Sequence, residues 1–197
     1  MRKAPMTRSR LPAGPANVAT AQALCYTTSI RYRPSNQVRY ILMKIVRKPK
    51  LTEMVGVKKL LDAAAKNGDL LQRPLMELYE TARDFFVYVD ESGVAGCAAL
   101  HIDNEDLAEI RSVAVRPDLR GNNVGSQLIN ACMAEARNLD LKRVYALTRV
   151  PLFFLKQGFN EIDKHELPQK VFQDCLRCPM WPDCDETAVL RHVKTDE

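Results

Sequence analysis

The stretch Val113-Ala114-Val115-Arg116-Pro117-Asp118-Leu119-Arg120-Gly121-Asn122-Asn123-Val124-Gly125-Ser126-Gln127-Leu128 decides how this chain folds. It begins as a strand, is broken by Pro117-Asp118, and enters a helix through a turn rich in Gly and Asn. Successive backbone N–H groups at such a turn converge on one point, and the helix N-terminus adds partial positive charge there. Gly and Asn are the residues that tolerate the positive φ such a nest requires. Arg120 adds a formal charge. The geometry suits a pyrophosphate. Neither the Gly-Lys-Ser/Thr of a P-loop nor a G-x-G-x-x-G fingerprint is present. The plain alternative is a strand–helix turn with ordinary capping glycines.

Outward from this turn the pattern is regular from Met43 on. Ile45-Val46 opens a short strand, and Thr52 is placed to N-cap a helix whose Met54, Val57, Leu61 and Ala64 share one face, with Gly68 at its end. Pro74 starts a second helix through about Arg83. Phe85–Val89 and Val94–Ile102 read as a hairpin around Asp90-Glu91-Ser92-Gly93, and Leu107–Val115 as the next strand. The helix after the turn runs from Gly125 to about Leu139. Its apolar positions are Leu128, Ile129, Cys132, Ala136 and Leu139. A strand at Arg143–Thr148, a short helix at Pro151–Gln157 and strands at Phe159–Asp163 and Ala188–Val193 complete the body. The fold class is α/β, a mixed and mostly antiparallel central sheet flanked by helices. Residues of about 166–187 read as an irregular Cys-rich insertion.

Charge sharpens the division. The chain has 197 residues and a formal net charge of +5, with 29 Lys and Arg against 24 Asp and Glu. Seven basic residues precede Met43, whereas the first acidic residue is Glu53. The basic excess thus belongs to residues 1–42, and the body, 43–197, is slightly acidic. That weakens any inference of nucleic-acid binding. Residues 1–42 read as a disordered basic extension: a solvated tail, an upstream start with Met43 as the true one, or an organelle transit peptide. No apolar run approaches the ~20 residues of a membrane helix. A reducing, cytoplasmic setting is expected, with organelle import if the extension is a transit peptide.

Arg120-Gly121-Asn122-Asn123-Val124-Gly125 resembles the Arg/Gln-x-x-Gly-x-Gly/Ala motif of the GNAT acetyltransferase superfamily. Asn123 stands where the middle Gly is usual, and Asn occupies the left-handed region at modest cost. Phe153-Phe154-Leu155-Lys156-Gln157-Gly158-Phe159 resembles the family's last motif. Two flanking segments, Gly68–Arg73 with Glu77–Tyr79 and Arg83–Val87, and Leu167–Val171 with Asp174–Pro179 and Pro182–Glu186, resemble short single-domain N-acetylglutamate synthases. The likeness covers nearly all of residues 43–190. It implies a GNAT fold, acetyl-CoA as co-substrate and L-glutamate as acceptor, in the first step of arginine biosynthesis. It also implies that Arg120, Gly121, Asn122, Asn123, Val124, Gly125 and Ser126 bind the pyrophosphate, and that backbone groups at Val113 and Val115 hold the pantetheine. Another amine acceptor, or a non-catalytic acyl-CoA-binding module, is the alternative.

Acetyl transfer to an amine requires a base for the ammonium, polarisation of the thioester and a proton for the leaving thiolate. The resemblance offers Glu109, in Ala108-Glu109-Ile110, as the base. Strand alternation puts Glu109 and Arg111 on one face unless a bulge intervenes. Thr148 is the candidate proton donor, with Tyr145 or water as alternatives, because Phe154 stands where many relatives carry a Tyr. Glutamate needs cations for two carboxylates. Arg111, Arg149 and Lys170 are the candidates, with Arg73 a weaker one. Cys175, Cys178 and Cys184 have C-x2-C-x5-C spacing, with His165 and His192 available for a Cys3His zinc site. The spacing is not that of a standard finger, so plain thiols are favoured and no metal is expected. Cys25, Cys97 and Cys132 are expected to be inert. Small-molecule substrates are the expected partners, without nucleic acid or membrane; a homodimer is left open.

Overall fold

Strand-forming residues cluster in blocks that each alternate between two faces, and the structure joins seven of them into one sheet. The structure is a computed structural model that describes residues 46–66, 70–167 and 183–193. The strands are β1 (Val46–Arg47), β2 (Phe85–Asp90), β3 (Gly93–Ile102), β4 (Leu107–Val115), β5 (Arg143–Thr148), β6 (Asn160–Ile162) and β7 (Thr187–His192). The helices are α1 (Met54–Lys66), α2 (Leu75–Glu80), α3 (Val124–Asn138) and α4 (Pro151–Leu155). The sheet order is β1-β2-β3-β4-β5-β7-β6. Every described pairing is antiparallel except β4–β5. A parallel pair requires a long crossover, and α3 supplies it.

The two faces carry separate cores. Leu128, Ile129, Cys132, Met133 and Ala136 of α3 pack on Phe86, Leu100, Ala108, Ile110 and Val144. On the opposite face Met54, Val57, Leu61 and Ala64 of α1, with Leu78 of α2, cover Phe85, Val87, Cys97 and Ala99. Burying a side chain of Leu or Ile size is worth about 1.5–3 kcal/mol, so these stripes hold the helices in place. Gly56 lets α1 come close to the sheet: a Cβ there would stand 3.0 Å from Val94 Cγ2. A third cluster, Leu107, Tyr145, Leu167 and Ala188, fills the sheet beyond β4.

Three details differ from the sequence reading. Thr52 is not an N-cap: it lies inside a 3-10 turn, Leu51–Glu53, that leads into α1. Glu53 accepts from the backbone N–H of Lys50 at 2.7 Å and makes a two-bond contact with Arg47, so the acid does the capping. The second helix stops at Glu80 rather than near Arg83. Leu139 is half exposed at the C-cap of α3, whereas Met133 is buried. Ile45, the end of α1 at Gly68, the extension 1–42 and most of the Cys-rich insertion lie outside the described residues.

The irregularity that matters most is in β4. Cys97 pairs with Ala114 but Ala99 pairs with Arg111, so β4 carries one extra residue at Ser112–Val113. Ser112 adopts φ 55, the left-handed conformation of a bulge. The extra residue reverses the alternation. Ala108 and Ile110 face α3 before the bulge; Val113 and Val115 face it afterwards, and Ala114 joins the opposite core.

Candidate active site

Strands β4 and β5 start side by side and then part. Their register runs Leu107–Arg143, Ala108–Val144 and Glu109–Tyr145, and stops there. Beyond that pair, β4 continues through Val115 and β5 through Thr148 without contacting each other in the ladder. The backbone groups that would have bonded across line a cleft instead. β5 is occupied on its other edge by β7 over its whole length, from Arg143–His192 to Thr148–Thr187. The cleft is a cavity of about 530 Å3 walled by Ile110–Val115, Leu147–Val150, the start of α3 and Phe153.

One end of this cavity is the turn before α3. Gly121 has φ 80 and Asn123, the N-cap, has φ 63. Asn123 therefore takes the left-handed conformation expected of it. The helical bonds begin with Gln127 N–H donating to Asn123 O at 3.1 Å. The N–H groups of Val124, Gly125 and Ser126 precede that bond, so they have no partner within the helix. Gly121 leaves its side-chain position open, and Gly125 is pressed by Phe153, whose Cζ would stand 3.1 Å from an added Cβ. Arg120, Gly121, Asn123, Val124, Gly125 and Ser126 all wall the cavity. Asn122 is exposed on the same turn, outside the cavity wall, and donates its N–H to Leu119 O.

Arg116 fixes the turn from outside. Its guanidinium binds Asp90 Oδ2 at 2.6 Å and Asp118 Oδ1 at 2.7 Å, and also contacts Ser92. This ties the β2–β3 hairpin to the residues that lead into the turn. The pairing holds the Asp90 carboxyl at about 2, well below the ordinary carboxylate range, chiefly through the Arg116 hydrogen bond. On the other side Gln157 Nε2 donates to Ser126 Oγ at 3.0 Å, and Arg191 holds Gln157 O at 2.6 Å. Neither Arg116 nor Gln157 was singled out from sequence, because a clamp between distant segments leaves no local pattern.

At the apex, where β4 and β5 part, stands Glu109. Its side chain is 18% exposed, and its carboxylate lies 3.7 Å from Arg111 Nη1. The bulge falls after Arg111, so both side chains share one face as alternation predicts. Burial pushes the Glu109 carboxyl up to about 7 against the pull of Arg111 and despite Arg73 and His101 nearby; Asp103 raises it further. A carboxyl poised there is suited to exchange a proton near neutral pH. Tyr145, opposite Glu109, is buried and hydrogen-bonded to Asp103; its phenol is pushed upward by burial first and by Glu109 and Asp103 next.

The remaining candidates are distributed around the cleft. Val113, Val115, Arg111, Thr148 and Arg149 wall the cavity. Thr148 Oγ1 accepts from the N–H of Val150 at 3.1 Å. Arg149 is paired with Asp185 at 2.6 Å. Phe154 is buried edge-on to Phe153 and Phe159, with no group to donate a proton. Arg73 pairs with Glu77 at 2.8 Å. Lys170, Cys175 and Cys178 lie outside the described residues; Cys184 is a half-buried free thiol. Among the described residues no group of three or more His, Cys, Asp or Glu could hold a metal ion. Burial pushes the Cys97 and Cys132 thiols up to about 12. Among the described residues no helix is long and apolar enough to cross a membrane.

Known proteins share the family and the fold. The acetyltransferase (GNAT) family model matches residues 56–159. An uncharacterized N-acetyltransferase of Chlorobaculum tepidum is 34% identical over 146 residues, 74% of this chain and 94% of that protein. An amino-acid acetyltransferase of Mycobacterium tuberculosis is 37% identical over 136 residues, 68% of this chain and 78% of that protein. A Mycobacterium tuberculosis protein solved in complex with CoA and NLQ superposes with a TM-score of 0.67 at 30% identity, over 76% of this chain and 99% of that one. N-acetylglutamate synthase from Neisseria gonorrhoeae, solved with coenzyme A and N-acetyl-glutamate, shares the fold with a TM-score of 0.69 at 22% identity. That match covers 76% of this chain and 35% of the synthase.

Proposed function

Because the chain belongs to the GNAT acetyltransferase family, we propose that it moves acetyl from acetyl-CoA to the α-amine of L-glutamate, the first step of arginine biosynthesis. The observation that carries this reading is the cleft between β4 and β5, whose cavity joins the turn before α3 to the guanidiniums of Arg111 and Arg149, with the Glu109 carboxyl, raised to about 7, next in sequence to the lining residue Ile110. The M. tuberculosis relative named amino-acid acetyltransferase, and the solved M. tuberculosis protein holding CoA and NLQ, support both the donor and an amino-acid acceptor.

The turn fits the pyrophosphate of CoA. Left-handed Gly121 and Asn123 aim the chain so that the N–H groups of Val124, Gly125 and Ser126 face the cavity end, with Arg120 adding charge. The pantetheine carries two amides. The β4 edge abandoned by β5 offers them strand-like partners from Val113 to Val115. A thioester carbonyl reaching the bulge meets backbone N–H groups that polarise it. Glu109 takes the proton of the acceptor ammonium, directly or through a water, and the free amine attacks. The thiolate, of pKa about 8.5, leaves without a strong acid. The second proton leaves the amine nitrogen as the amide forms and is passed to the thiolate by Thr148, at the cleft wall, or by a water. Arg111 is the first cation for the acceptor's carboxylates, with Arg149 and Lys170 as further ones.

One observation favours a second acceptor. Arg149 is engaged by Asp185, which reduces the positive charge offered to a second carboxylate. An acceptor with a neutral side-chain amide, such as glutamine, fits that arrangement. Release of CoA thiol from acetyl-CoA by the full chain, with glutamate, glutamine, other amino acids and a polyamine in parallel, decides the acceptor. Turnover with glutamate at the highest kcat/KM supports the proposal; preference for another amine redirects it. Binding of acetyl-CoA without turnover of any amine makes the chain a non-catalytic module.

A further inference from the structure

Acetylation of an ammonium is not proton-neutral. R–NH3+ and acetyl-CoA become R–NH–acetyl, CoA thiol and one H+, so each turnover must deliver a proton to solvent. With both substrates in the cleft, a proton taken up by Glu109 needs a way out past them. The neighbouring strands offer one.

The ladder supplies a neighbour. His101 of β3 is the direct register partner of Glu109, and side chains opposite one another in an antiparallel pair have Cβ atoms about 4.5–5.5 Å apart on the same face. The other neighbour of Glu109, Tyr145, is buried and committed to Asp103. The His101 side chain is 35% exposed, so it meets solvent, and it is near enough to Glu109 to influence its carboxyl electrostatically. The charged and titratable groups that face Glu109 are Arg111 on its own strand, His101 and Asp103 from β3 and its turn, Arg73 from the segment before α2, and Tyr145 from β5. Of these, His101 alone combines the register pairing with an imidazole, whose two nitrogens can take up a proton on one side and release one on the other.

His101 is also held in one tautomer. Its Nδ1 lies 2.9 Å from Asp84 Oδ2. A carboxylate only accepts, so Nδ1 carries the hydrogen and Nε2 is left with the lone pair. Asp84 is itself anchored: its N–H donates to Thr81 O at 2.9 Å and its carbonyl accepts from Leu100 N–H at 3.0 Å.

We propose that His101, oriented by Asp84, is the proton exit of Glu109. The inference rests on the reading of Glu109 as the base. Glu109 carboxylate takes H+ from R–NH3+ and becomes the acid. His101 Nε2 takes that proton and becomes imidazolium, restoring the carboxylate. The imidazolium then releases H+ to water or buffer and returns to the neutral tautomer.

The test is steady-state CoA release by the full chain in dilute buffer without imidazole and with added imidazole. It compares the wild type with His101→Gln, His101→Ala, Asp84→Asn and Glu109→Gln. Glutamine keeps an N–H for Asp84 but cannot carry a proton, so a merely structural His101 would tolerate it. The relay predicts that His101→Gln and His101→Ala lower kcat by about 10²-fold in dilute buffer with the KM for acetyl-CoA unchanged. Imidazole restores most of the loss in His101→Ala and leaves the wild type unaffected. Asp84→Asn shows a smaller loss of kcat. Wild-type kcat in His101→Gln, or a loss in His101→Ala that imidazole does not restore, overturns the relay while an impaired Glu109→Gln leaves the base in place. Full turnover by Glu109→Gln overturns base and relay together. No CoA release by the wild type with any amine overturns the acetyl-transfer reading from which both follow.

Discussion

Glu109 on β4 sits opposite Tyr145 on β5, and it is the last pair those strands make. The cleft opens where that pairing ends. The acid at the apex is buried by the same sheet whose opening creates the cavity.

The first prediction concerns rate against pH. A base works when deprotonated, so kcat should rise with pH through about 7 and level off above it. Glu109→Gln should lower kcat by about 10²–10⁴-fold and abolish that rise, with acetyl-CoA binding retained. An unchanged profile in Glu109→Gln would remove Glu109 from the mechanism.

The second concerns stability at the same residue. Glu109 has a folded pKa of about 7 against an ordinary value near 4.5. A raised pKa means that the folded state favours the protonated acid. Stability from this group is full below about pH 4.5 and is lost as pH rises through 7, a difference of about 3 kcal/mol. Glu109→Gln, which stays neutral, should melt higher than the wild type at pH 8 and alike at pH 4.5. Thermal denaturation at the two pH values measures this. A lower melting temperature for the variant at pH 8 would contradict it.

Conformation at the turn before α3 is the third. Asn123 lies in the left-handed region, so Asn123→Gly should leave folding and acetyl-CoA KM nearly unchanged. Asn123→Val should destabilise by about 1–2 kcal/mol and raise that KM. Gly125→Val, which drives a side chain against Phe153, should raise it further. Equal KM values for Asn123→Gly and Asn123→Val would mean that the left-handed turn is not needed for binding.

Arg116 gives the fourth. Arg116→Ala releases Asp90 and Asp118 from the guanidinium. Because Arg116 touches the turn's supports rather than its anion-binding end, the variant should raise the KM for acetyl-CoA several-fold while kcat stays near normal. Asp90 has a lowered pKa of about 2, so its stabilisation is present above about pH 4 and lost as pH falls through 2. The variant should therefore lose stability at pH 6 and converge with the wild type near pH 2. Urea denaturation at both values checks the sign.

Much of this was legible in the linear chain. Leu107–Val115 and Arg143–Thr148 read as strands in the sequence, and both have the expected limits. Met54, Val57, Leu61 and Ala64 repeat at helical spacing and are buried together. The turn from Arg120 to Gly125 announced itself because positive φ demands Gly or Asn. Thr52 misled, since a hydroxyl before a helix is a general capping signal and the competing Glu53–Arg47 contact depends on β1 lying next to the turn. Leu139 misled for a similar reason: periodicity continues past the point where α3 leaves the sheet.

Local pattern by itself determined the strands, the helices and the left-handed turn before α3, because each depends on residues a few positions apart. It also determined that Glu109 and Arg111 share a face. Tertiary structure alone decided that β4 and β5 diverge after Glu109, that Ser112 bulges, and that Arg116, Gln157 and Phe153 clamp the turn from separate directions. It alone gave Glu109 its raised pKa and its place between His101 and Tyr145. Those properties come from burial and from contacts between segments distant in sequence, and neither periodicity nor composition encodes them.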